Sequence, residues 1–196
     1  MKKLILFFAV GGLMLSLHSC EKLSVSFNDV VIEQVLQVSN LTTKSASVLE
    51  VNESYNFDVN KTFSISDASE DDGDDDLSEY LESLNSVTVT SMDFTVIDVT
   101  PSNENSSVDS MMISISKGSV ILYSESFTNI TADVPFNAAN LNSEVINSIS
   151  DALLNKEELT LQAAGQASGD IQSFKIVTRI VSDIEANALD AAKTFF

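Results

Sequence analysis

Apolar and polar side chains alternate with period two along much of the chain, the spacing that sends successive side chains to opposite faces of a strand. Leu23, Val25 and Phe27 alternate with Ser24, Ser26 and Asn28, and Leu159, Leu161 and Ala163 alternate with Thr160, Gln162 and Ala164. In a longer segment Phe174, Ile176, Ile180 and Ile184 share one face, while Lys175, Arg179, Asp183 and Glu185 occupy the other. Each segment reads as a half-buried strand. Gly118-Ser119 separates the alternating SMMISISK from VILYSESF, and Gly169-Asp170 separates the last two strands, so both dipeptides predict hairpins. Over residues 86–99 the phase changes. Val87 and Val89 set one face and Met92, Phe94 and Val96 the other, which an extra residue near Thr90 or Ser91 reconciles. The pattern predicts a bulged strand there, or two shorter strands.

Helical spacing occurs twice. Asp76 followed by Glu79 makes a capping box, Leu77, Tyr80, Leu81 and Leu84 fall on one helical face, and the acidic run before them suits the positive end of the helix dipole. Within residues 141–154, Leu141, Val145, Ile146, Ile149, Leu153 and Leu154 repeat at helical spacing. The order is then β-β-β-α-β-β-β-α-β-β. With only 6 Gly and 2 Pro, it predicts a mainly β fold: an antiparallel two-sheet β-sandwich, immunoglobulin-like, with two short helices as crossovers. No internal repeat stands out.

The first residues break the alternation. Lys2 and Lys3 precede fourteen mostly apolar residues, 4–17, a run shorter than the roughly 20 that span a bilayer and matched to the core of a secretory signal. It closes on Leu17, His18, Ser19 and Cys20, which include the only histidine and the only cysteine of the chain. These four residues resemble the lipobox of bacterial lipoproteins, in which a signal peptidase cuts before the cysteine and the thiol then carries a diacylglycerol. Leu17 and Ser19 fit that pattern, and His18 stands where a small residue is commoner. The resemblance implies a lipoprotein signal peptide over residues 1–19, an acylated (palmitate-type) membrane anchor over 20–22 attached through Cys20, and one β-sandwich domain over 23–196. It also implies a place in the bacterial cell envelope, at the outer membrane.

Cleavage before Cys20 would leave a chain without histidine or tryptophan and with its one thiol acylated. That excludes Ser-His-Asp triads, Cys-His dyads, zinc-finger sites and intrachain disulfides together. The remaining length supports one domain that buries about 70% of its unfolded surface and stands without disulfides.

Charge narrows the partners. The chain has 29 Asp and Glu against 10 Lys and Arg, a net charge of −19 that becomes −21 once Lys2 and Lys3 leave with the signal. Nucleic acid is excluded as a partner, because phosphate binding needs clustered cations. Anionic headgroups would repel the chain too, so attachment falls to the acyl chains, at about 0.8 kcal/mol per buried methylene. Beyond the membrane, a protein or a glycan is the expected partner class.

The acidic stretch SDASEDDGDDDLSEY, residues 66–80, invites a calcium reading. On the EF-hand template Gly73 takes the sixth place, Asp72 the fifth, Glu70 the third and Glu79 the twelfth, but the first place falls on Ala68 and the eighth on Asp75. The template fails there. Asp71, Asp72, Asp74 and Asp75 remain candidate ligands of a weak divalent cation, and a solvated loop is the expected state; no other cofactor is expected. Ser114 and Lys117 match S-x-x-K, yet residues three apart on a strand face opposite sides and the companion motifs are absent. Asn40, Asn52, Asn60, Asn105 and Asn129 begin N-x-S/T, sequons expected to be silent in a bacterial lipoprotein. Asp109, Ser110 and Met111 resemble the D-S/T-hydrophobic acceptor of Bacteroidetes O-glycosylation, making Ser110 a candidate glycosylation site. The terminal Phe195 and Phe196 read as packing or a tail, because Ala192 and Thr194 break the alternation of a membrane β-barrel strand.

Val87, Val89 and Ser91, with ALLNKEELTLQAAG, resemble the V-x-V-x-S strand and the late helix ending LLN of small β-sandwich lipoproteins of Bacteroidetes. That resemblance implies the fold and no particular activity. The expected function is a non-catalytic ligand-binding or envelope-assembly module. A glycosidase-like hydrolase using two of the carboxylates is the alternative, with a purely structural surface protein behind it.

Overall fold

In the computed structural model, which describes residues 24–39, 41, 54–69, 77–100, 107–168 and 171–187, the alternating segments pair as two antiparallel sheets. In chain order the strands are β1 (Ser24–Ser39), β2 (Ser54–Phe63), β3 (Ala68–Ser69), β4 (Leu84–Thr100), β5 (Ser107–Lys117), β6 (Val120–Ile130), β7 (Phe136–Asn137), β8 (Leu159–Ser168) and β9 (Ser173–Asn187). One α-helix, α1 (Ser143–Leu154), precedes β8. The first sheet has the order β3-β1-β9-β4-β7 and the second β2-β8-β5-β6.

Period two decides which side faces in. On β9, Phe174, Ile176, Ile180 and Ile184 are all buried, the face that the spacing predicts. The sheets meet through rings: Phe57 of β2 lies edge-on to Phe174 of β9 at 5.1 Å, and Phe94 of β4 stacks on Tyr123 of β6 at 6.2 Å. Gly165 of β8 makes room for the first contact, since it pairs with Phe57 and its missing side chain leaves the ring free to reach the opposite sheet. The bulge in β4 falls at Thr90, between Val89 and Ser91, so one strand with a reset register forms rather than two shorter ones. Gly118, at φ +56°, turns β5 into β6 as predicted.

The open edge of β4 is closed locally. Ala138 and Asp133 donate their backbone N–H groups to Met92 and Val96, and Ser150 on α1 accepts from the Val89 N–H. Asn142 caps the helix by accepting from the N–H groups of Glu144 and Val145, and Ile149, Ala152 and Leu153 turn inward.

Four expectations are corrected. The first helix is two 3-10 turns, Leu77–Glu79 and Leu81–Ser83. Tyr80 donates to Leu77 and Ser83 to Tyr80, three residues apart, and Leu84 is already extended and paired with Ala186, which leaves no length for an α-helix. The chain therefore has one helix of the two expected among its described residues, and Asp76 of the capping box lies outside them. The last two strands are not a hairpin, although Gly169 and Asp170 themselves lie outside the described residues. β8 is flanked by β2 and β5, and β9 by β1 and β4, so the connection crosses from one sheet to the other. The strand order also departs from the immunoglobulin arrangement, which keeps its first two strands in one sheet: here β1 and β2 lie in opposite sheets.

Candidate functional site

Register assembles the polar half of each strand of the second sheet into one outer face. Rows across it read Asn60, Gln162, Ser114 and Ser124, then Asp58, Ala164, Met112 and Ser126, then Asn56, Gln166, Ser110 and Thr128. Asp58 is the one ionisable side chain in these rows, and it accepts from Gln162 Nε2 at 2.7 Å. Gln166 donates to Asn56 at 3.2 Å, and Met112 stands 45% exposed among the hydroxyls and amides. The outer face of the first sheet is different: Arg179 is flanked across the strands by Glu33 and Asp93, and Lys175 binds Asp98 at 2.7 Å. A chain this acidic thus keeps one broad face almost free of charge. Such a face offers many neutral donors and acceptors with little net field, which suits an uncharged partner.

A second feature lies at the β4–β6 side. Phe94, Phe127 and Phe136 form a ring cluster with centroids 4.7–5.8 Å apart. Phe127, Ile130, Val134 and Phe136 line a half-open apolar cleft of about 190 Å³ beside it. That is smaller than the roughly 300 Å³ at which small-molecule pockets begin. Next to the cluster, Glu125 Oε2 accepts from the Tyr123 hydroxyl at 2.7 Å and from the Ala139 and Asn140 N–H groups at 3.0 and 3.2 Å. Burial raises the Tyr123 phenol above its ordinary range, and its bond to Glu125 raises it further. Glu125 is committed to these three donors; its work is to hold the chain leading into α1.

Among the residues singled out by sequence, Cys20, Asp71, Asp72, Asp74 and Asp75 lie outside the described residues, as do Asn40, Asn52, Asn105, Phe195 and Phe196. The described residues hold no group of three or more His, Cys, Asp or Glu placed to share a metal ion. Ser114 and Lys117 point to opposite sides of β5, and Lys117 is bound to Glu157 at 2.6 Å. Ser110 sits half-buried on the neutral face, inside a strand paired on both sides. Asp109 beside it is the bulged residue of β5 and accepts from the hydroxyls of Ser107 and Ser168. Sequence reasoning did not anticipate the neutral face. Its signal was present as Ser, Thr, Asn and Gln at the outward positions of β2, β5, β6 and β8, but only the register shows that these positions are neighbours. No protein-family model matches the chain, and no curated protein matches it.

Proposed function

We propose that the chain is a lipid-anchored, extracytoplasmic protein of the bacterial cell envelope, held at the outer membrane through Cys20 and acting as a non-catalytic binding or assembly module. The observation that carries the reading is the leader itself: two lysines, an apolar run too short to span a bilayer, and a lipobox-like end at the single cysteine. The almost uncharged outer face of β2, β8, β5 and β6 supports the binding role, because it offers a broad neutral surface to a protein or a glycan. The same reading makes Ser110 a glycan acceptor that would be modified before β5 pairs, since its hydroxyl is half-buried in the folded strand.

Cys20→Ala in cells, followed by fractionation and labelling with a palmitate analogue, tests the anchor. The parent protein is expected in the membrane pellet with label, and the exported variant in the soluble fraction without it. Full retention of the variant in the pellet, with normal export, would overturn the reading.

A further inference from the structure

We infer that the end of the sandwich carrying the β5–β6 turn rests on a zwitterionic lipid surface, with Val120 and Ile121 entering its interface. The inference builds on the proposed anchor at Cys20 and states which end of the domain that anchor draws down. Only residues 21–23 separate Cys20 from Ser24, the first residue of β1, and that much chain spans at most about 14 Å. Ser24 pairs with Asn187 and Leu84 with Ala186, so the starts of β1 and β4 and the end of β9 form one end of the first sheet. Two ion pairs carry this end across to the second sheet. Glu82, just before β4, holds Lys156 at 2.7 Å, and Glu157 beside it holds Lys117, the last residue of β5, at 2.6 Å. The turn at Gly118 and Ser119 therefore belongs to the anchored end.

What this turn presents fits a membrane interface. Val120 and Ile121 are 60% and 66% exposed, more than any other large apolar side chain among the described residues. The packed core stops at Ile115 and Tyr123, beyond which Ile121 pairs with Ser116 and Val120 with Lys117. Lys117 and Lys156 lie beside this turn, whereas Lys175 lies near the opposite end of β9. Aliphatic tips beside lysines match the boundary between acyl chains and headgroup phosphates, where apolar groups settle about 5–10 Å deep and ammonium groups reach outward. Because Lys117 and Lys156 are each paired with a glutamate and the chain is strongly acidic, a zwitterionic surface fits and an anionic one does not. Two aliphatic side chains are too few to recruit the domain from solution. Once the anchor holds them at the surface, a high effective concentration lets them set its orientation.

The test uses the lipidated full chain in phosphatidylethanolamine–phosphatidylcholine vesicles containing a lipid-borne quencher at shallow depth. With Cys20 acylated, an introduced cysteine is the one reactive thiol, so Ile121→Cys, Ser119→Cys and Thr131→Cys can carry the same fluorophore; Thr131 is exposed beyond the far end of β6. Labels at positions 121 and 119 are expected to be quenched several-fold more strongly than the label at 131. Ser119→Cys keeps both apolar side chains and so reads the same end without altering it. Equal quenching at all three positions in protein that floats with the vesicles overturns the membrane contact and leaves the anchor standing. Protein that stays at the bottom of the flotation gradient overturns both. Excimer emission from a pyrene at position 121, without quenching, assigns the tip to a second copy of the chain and also overturns the contact.

Discussion

The hydroxyl of Ser150 accepts a hydrogen bond from the Val89 backbone N–H at 3.0 Å, both groups being buried, so the helix satisfies the edge of β4 just before its bulge. An exposed edge at that point would invite pairing with another chain. Ser150→Ala leaves the buried N–H without its acceptor, and the expected loss is about 1–3 kcal/mol. Urea unfolding should show a lower midpoint with an unchanged slope. An unchanged midpoint would mean that the helix covers this edge by packing alone.

Tyr123 and Glu125 predict an alkaline weakening of the fold. Burial and the bond to Glu125 hold the phenol protonated above its ordinary range in the folded state, whereas in the unfolded chain it ionises near its usual value of about 10. The unfolded state loses the proton first. The contribution is therefore fully present below about pH 10 and declines as the pH rises further. Tyr123→Phe is expected to flatten this decline and to cost about 1 kcal/mol at neutral pH, through the lost hydrogen bond. Stability measured against pH for both proteins decides it, and parallel curves would refute the assignment.

Gly165 sits where β8 meets both Phe57 and β5. An added Cβ would collide with the Ser110 carbonyl oxygen and lie 2.9 Å from both the Met111 Cα and the Phe57 ring. Gly165→Ala should cost on the order of 3 kcal/mol, because backbone rather than a flexible side chain would have to give way. Calorimetry should find a clearly lowered melting temperature. A variant as stable as the parent would show that β5 and β8 can separate at little cost.

Gln34 and Thr178 face each other across β1 and β9, inside the sandwich, and Ser182 lies further along the same inward face of β9. Gln34 Oε1, Thr178 Oγ1 and Ser182 Oγ are buried without a hydrogen-bond partner among the described residues. Thr178→Val and Ser182→Ala remove hydroxyls that bring only a desolvation cost, so each is expected to raise stability by about 1 kcal/mol. Denaturant titration of the two variants tests this; a loss in both would show that the hydroxyls are bonded in solution.

These polar positions mark where the chain stops being readable residue by residue. The inward face of β9, the bulge at Thr90, the turn at Gly118 and the helix around Ile149 were all legible, because each is set by neighbours within a few residues: side-chain phase, a turn dipeptide or a helical stripe. Local pattern could not say that β8 and β9 belong to different sheets, that the Leu77–Ser83 segment would tighten into 3-10 turns with Tyr80 against Phe27, or that Gln34 would face inward opposite Thr178. Those outcomes depend on which strand pairs with which, and pairing between distant segments is decided by how all the apolar faces can be covered at once. The neutral face and the position of Val120 and Ile121 at the end where the chain enters β1 have the same origin: the alternation supplied the side chains, and only the assembled register made them neighbours.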